Sequence, residues 1–221
     1  MGTIIDNIHI AGNLSADSMT LANGTVTNAM VHAAAAIDRS KLAQDDLTKY
    51  AIPWDAFKVW NAYATPLANT ASADDLGLIG GTWASASPML QTIDQKNNTA
   101  ATSCFARFFV ALPAEYVTGE TVQIRFNCYM VTTVASTTAT IDLVAYESTK
   151  AGGIGSDLVT TSATSINSLT PANVDFTITP AGLAAGDILD CRVDIAINDT
   201  ATGTAVIGAI GYAALMCDVK G

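Results

Sequence analysis

Charge is scarce in this sequence: 14% of its 221 residues are Asp, Glu, Lys or Arg, and ten bases against twenty acids give a formal net charge of −10. A surface of that sign repels a phosphate backbone, so no nucleic-acid partner is expected. Histidine is scarcer still. Only His9 and His32 are available near neutrality, both outside the best-patterned part of the chain, so the base that most hydrolytic and transfer enzymes use has no visible place and no catalytic residue is assigned. Cys104, Cys128, Cys191 and Cys217 form no CxxC or CxH pair, which excludes a zinc site of ordinary spacing and reads as free, buried thiols. Cys191 and Cys217 lie in apolar rows, either as small core residues on neighbouring strands or as a disulfide. The longest apolar run, 205–217, falls short of the roughly 20 residues of a bilayer span. The opening Met1-Gly2-Thr3-Ile4-Ile5-Asp6 has no basic stretch. No membrane partner and no signal-peptide export are expected.

What is present is apolar material in two different patterns. Half the residues are hydrophobic, enough for a core in a chain of this length. A run of breakers and small polar residues from Thr65 and Pro66 to Asp74 and Asp75 interrupts both patterns and predicts three parts: an N-terminal module at 1–65, a linker at 66–75 and a β domain at 76–221. In the first part, Ile8, Ile10, Leu14, Met19, Leu21 and Val26 sit between turn formers and read as short strands with too little apolar area for a core of their own. An alanine-rich helix is predicted behind the caps Thr27 and Asn28, and a second over 41–50. Trp54, Phe57, Trp60 and Tyr63 then recur at a helix-like spacing.

The second part alternates strictly. Cys191, Val193, Ile195 and Ile197 face one way and Asp190, Arg192, Asp194 and Asn198 the other, the mark of a strand with one buried face. Val122, Ile124, Phe126, Cys128 and Met130 make a second row, and Ile141, Leu143 and Ala145 a third. With strands at 105–112, 174–178 and 204–219 and additions at 76–83 and 89–93, the expectation is a mainly β fold: an antiparallel β-sandwich of jelly-roll type, with a small N-terminal module of short strands and helices. The last strand has two apolar rows, Val206, Ile210, Ala214 and Met216 against Ile207, Ala209, Ala213, Leu215 and Cys217, so either the N-terminal segment or a second subunit must cover its outer face.

The candidate sites read as scaffold. Gly152-Gly153-Ile154-Gly155-Ser156 lacks the Lys-Ser/Thr of a phosphate loop and reads as a strand connection. Asp187, Asp190 and Asp194 read as a solvated, salt-bridged sheet face that tolerates alanine, with Asp142 beside them, and no metal or cofactor is assigned. The aromatics Trp54, Phe57, Trp60, Tyr63 and Trp83 are expected to pack in a core or against a subunit; stacking on glycans is the alternative, with Trp83 the residue named for it.

The string Gly12-Asn13-Leu14-Ser15-Ala16-Asp17-Ser18-Met19-Thr20-Leu21-Ala22-Asn23-Gly24-Thr25-Val26-Thr27-Asn28, followed by Ala33-Ala34-Ala35-Ala36-Ile37-Asp38-Arg39-Ser40-Lys41-Leu42, resembles segments of tailed-bacteriophage fibre and head-fibre proteins. The resemblance covers residues 8–45, and the β part looks like the jelly rolls common in virion proteins. It implies a structural virion protein: a capsid-decoration or head-fibre homotrimer on the capsid surface, made in the bacterial cytoplasm and attached by its N-terminal part to the major capsid protein or another virion protein. The contacts are then Ile8, Ile10, Leu14, Met19, Leu21 and Val26, together with Val206, Ile210 and Met216. The alternative is a tail-fibre or lectin-like module that binds a host-surface glycan or receptor.

Overall fold

The alternating rows close as two facing antiparallel sheets. The structure, a computed structural model, describes residues 47–149 and 151–219; the contact residues proposed between Ile8 and Val26 lie outside them, as does the predicted alanine-rich helix. Eleven strands follow in order: β1 (Thr48–Ala51), β2 (Gly77–Ile79), β3 (Met89–Gln91), β4 (Asn98–Ala111), β5 (Val122–Met130), β6 (Thr138–Ser148), β7 (Ile154–Asp157), β8 (Thr164–Ser165), β9 (Ala172–Ile178), β10 (Ile188–Asp199) and β11 (Gly208–Cys217). One sheet runs β2-β3-β11-β5-β9, with β1 also on β11; the other runs β4-β10-β6-β7, with β8 also on β6.

The pairs nest: β3 with β11, β4 with β10, β5 with β9 and β6 with β7. That is one long antiparallel hairpin rolled until β11 also meets β5 and β10 also meets β6, which is the jelly roll expected from the sequence. Between the sheets lie the inner rows of β5, β9 and β11 and those of β4, β6 and β10. An aromatic file crosses this core, Phe57 to Phe108 at 4.7 Å, Phe108 to Phe126 at 6.2 Å and Phe126 to Phe176 at 6.1 Å.

Three expectations are corrected. First, residues 48–51 are a strand beside β11, not the end of a helix, and 54–63 hold no α-helix: a 3-10 turn at Trp54–Ala56 is followed by a bridge at Lys58 and by turns closed from Ala62 N–H to Val59 and from Thr65 N–H to Ala62. Second, the boundary expected at 66–75 falls inside the sandwich. Ile52 and Phe57 belong to the same core as Leu76, and Leu76 N–H donates to the Phe105 carbonyl. Third, the rows of β11 cross over. Gly211 is an extra residue opposite β5, between the pairs Ile210↔Cys128 and Tyr212↔Asn127, and such a bulge moves every later side chain to the other face. Ile210 therefore shares the inner face with Ala213, Leu215 and Cys217. Val206 and Ile210 are core residues of this chain, closed to a second subunit, and the outer residues Ala209, Ala214 and Met216 are buried within the single chain.

All four cysteines are free and buried. Cys191 on β10 and Cys217 on β11 lie in opposite sheets rather than on neighbouring strands, and burial pushes the Cys217 thiol up to about 11, which leaves it protonated and inert.

At one end of the sandwich, the buried Asp199 carboxylate gathers three loops. It accepts from the backbone N–H groups of Asn97 (3.0 Å), Ser136 (2.7 Å) and Thr202 (3.2 Å) and from the Thr202 hydroxyl. These donors hold Asp199 well below the usual carboxylate range. A depressed folded-state value contributes stability above the unfolded value of about 3.9 and loses it as pH falls further. Acid titration of unfolding should show Asp199→Asn starting less stable than the parent and losing less between about pH 5 and pH 2. Gly208 is a second fixed point, since a Cβ there would lie 2.8 Å from Ile195 Cγ2. Gly208→Val is expected to lose about 1–3 kcal/mol in urea unfolding through overpacking.

Candidate functional site

The outward rows of β4, β10 and β6 should be wet if the sandwich stood alone, yet β4 presents Phe105 and Phe109 there. Both are covered. The chain touches the free edge of β4 at Lys58, whose N–H donates to the Arg107 carbonyl (2.8 Å) while Arg107 N–H donates to the Lys58 carbonyl (3.0 Å), and residues 59–65 then fold back as a tight loop that returns to Lys58 at Pro66. That bridge leaves Phe57 in the core against Phe108, and the turn that follows sets Trp60 over the outer face, where it meets Phe105 at 5.2 Å. Tyr63 follows, edge-on to Phe109 at 4.6 Å.

Two arginines lock into this aromatic row. Arg107 on β4 lies over Tyr63 (5.5 Å) and Phe109 (5.4 Å), while Arg192 on β10 lies over Trp60 (5.8 Å) and Phe105 (5.0 Å). The two are directly opposite each other in the sheet register, as are Asp194 and Asp142 on the other side of β10. Like charges facing each other across strands destabilise a sheet. The expected salt bridging is present on this face, between Arg107 and Asp190, but the register also sets like charges opposite each other.

Each pair resolves its repulsion differently. Arg107 leans diagonally to Asp190, donating from Nε to Oδ1 at 2.7 Å and from Nη2 to Oδ2, a bidentate fork that raises the already high basicity of the guanidinium. Asp190 is buried, at 7% exposure, so it is not the alanine-tolerant surface residue that the sequence predicted. Arg192 has no such partner: among the described residues no carboxylate lies within ion-pairing distance of it. Burial, and then the Asp142 carboxylate opposite, push Asp194 up to about 6 against the opposing pull of Arg192 and a hydrogen bond from Ser103. The Asp142–Asp194 pair thus sheds part of its repulsion by holding a proton in mildly acidic solution.

Between these groups lies a cleft of about 300 Å3 lined by Trp60, Asn61, Arg107, Val144, Tyr146, Ile154, Asp190 and Arg192. Its floor is the sheet and one wall is the 57–66 segment. Of the candidate residues named from sequence, it brings together Trp60, Asp190 and Arg192. Trp83 is elsewhere, 95% exposed in the connection of residues 80–88 between β2 and β3 of the other sheet. Asp187 hydrogen-bonds back to Ala184 N–H at a turn, and the glycine-rich run ends in β7, an edge strand on β6. Sequence reading missed Phe105, Arg107 and Phe109. The available signal was an outward row carrying two aromatics and an arginine between inward Cys104, Ala106 and Phe108. Among the described residues, no group of three or more His, Cys, Asp or Glu could hold a metal ion.

No family model matches the chain, and no curated protein sequence does. Several solved structures are similar to it. One is the xylan-binding module CBM15, at 12% identity over 78% of this chain and 98% of that one, with a TM-score of 0.42. Another is a CBM22-1 xylan-binding domain from Paenibacillus barcinonensis, at 10% identity over 78% and 94%, TM-score 0.39. A third is the module TmCBM61 in complex with β-1,4-galactotriose, at 12% identity over 61% and 74%, TM-score 0.37.

Proposed function

We propose that this chain is a non-catalytic carbohydrate-binding module, the lectin-like alternative of the sequence analysis, and that its ligand lies in the cleft on the outer face of the β4-β10-β6 sheet. The observation that supports this reading is the pairing of an aromatic wall at Trp60 and Tyr146 with the planar Arg107–Asp190 fork in one cleft. A sugar ring offers apolar C–H patches beside hydroxyls that both donate and accept. An indole or phenol face takes the former, and a fixed carboxylate and guanidinium take the latter in adjacent pairs. The ion pair positions both groups before any ligand arrives, which lowers the ordering cost of binding.

In its tail-fibre form the module binds a host-surface glycan. Virion attachment, trimerisation and location on the capsid remain expectations carried by the resemblance of residues 8–45. The doubly apolar last strand no longer requires a second subunit, because the bulge at Gly211 and burial within one chain account for it.

Affinity electrophoresis and titration calorimetry against a panel that includes xylan and β-1,4-galactan oligomers provide the test. Trp60→Ala should weaken binding by about tenfold or more, with far-UV circular dichroism unchanged, while Trp83→Ala should bind as the parent does. Loss of binding in Trp83→Ala with Trp60→Ala intact would move the site to the 80–88 connection.

A further inference from the structure

The cleft also has a charge preference. Its charged lining is two arginines against one aspartate, a local excess of one positive charge on a chain whose formal net charge is −10. Arg107 is neutralised by Asp190. Arg192 makes no close ion pair among the described residues, feeling only the more distant Asp194 along its own strand, and the register sets it directly opposite Arg107, an unfavourable place for a second cation. The rings of Trp60 and Phe105 hold its guanidinium in place without using its N–H fork. Two donors, Arg192 Nε and Trp60 Nε1, are buried and find no acceptor among the described residues, and such groups call for a partner rich in acceptors. Resting on the glycan-binding reading above, we infer that the cleft takes an acidic saccharide, whose sugar carboxylate is received by the Arg192 fork while the ring lies on the aromatic wall. Carboxylate is the matching oxyanion because its two oxygens fit a planar guanidinium edge.

The counter-charges on this face are themselves adjustable. Asp194 on β10 is met by Asp142 from β6, by Ser103 from β4 and by Arg192 along its own strand. With Asp194 at about 6, protonation below that value removes a negative charge near Arg192, and ionisation above it restores the charge. An anionic sugar, whose own carboxyl is ionised at both values, therefore binds more tightly at about pH 5 than at about pH 8.

The test is calorimetry of the full chain with polygalacturonate, alginate and hyaluronan oligosaccharides, each beside its carboxyl-reduced counterpart, which keeps the sugar skeleton and removes the charge. At least one acid form should bind about tenfold to a hundredfold more tightly than its reduced form. Arg192→Gln should bind the two forms alike, and Asp194→Asn should lose the pH dependence. Equal binding of acid and reduced forms by the parent, or binding confined to neutral glycans, overturns the inference and leaves the proposed function standing. A sulfated neutral oligosaccharide bound as tightly as the uronate overturns the carboxylate assignment. Binding of no glycan at all brings down both.

Discussion

One backbone bridge organises the candidate site. Lys58 and Arg107 exchange both of their main-chain hydrogen bonds, so the N–H and C=O of Arg107 point away from β10. The opposed residues Arg107 and Arg192 must then form the non-hydrogen-bonded kind of antiparallel pair, in which the Cα atoms approach most closely, to about 4.5 Å, and the side chains crowd. The contact that carries the Trp60 segment to the sheet edge is thus also the one that forces two guanidiniums together. Asp74 to Leu76 seal the same edge one step along, through Phe105. Aromatic wall, arginine pair and cleft all follow from how this edge of β4 is closed.

The energetics of the face make sense on that basis. Aromatic rings hold both cations, and Asp190 carries a full charge into a buried position that a bidentate arginine makes tolerable. Removing one member of such a pair leaves the other desolvated, so it is rigid and costly to break, although it adds little net stability over an apolar pair. Rigid, prepositioned polar groups above a rigid sheet are a poor choice for solubility and a good one for recognition. The rest of the sandwich is conventional by comparison: an apolar core crossed by a file of phenylalanines, and a buried Asp199 that ties three loops to one end.

Much of the fold was legible because the inner rows of β5, β6 and β10 alternate without interruption. What was lost depends on pairing rather than on pattern. β11 is built from small apolar residues on both sides of Gly211, so nothing local reveals that one residue is extra and that Ile210 and Leu215 share a face. The spacing of three from Trp54 through Phe57, Trp60 and Tyr63 imitates a helix. Pro53 and Pro66 bracket the segment, and the open β4 edge holds it at Lys58 while turns closed by Val59, Ala62 and Thr65 replace the helix. The site was the least legible element. Arg107 and Arg192 are 85 positions apart in the sequence, and their opposition exists only once β4 and β10 are in register. Phe105 and Phe109 lie within the expected strand at 105–112, but nothing in the sequence shows that Trp60 and Tyr63 pack against them.

The most direct measurement of the central claim uses the chain's three tryptophans, whose indole N–H groups report separately in a nitrogen-15 correlation spectrum. Titration with a bound oligosaccharide should shift the Trp60 indole, the Arg107 and Arg192 Nε–H signals and amides along β4 and β10, and leave the Trp83 indole where it was. Shifts gathered at residues 81–88, with the outer face of the β4-β10-β6 sheet silent, would contradict the account.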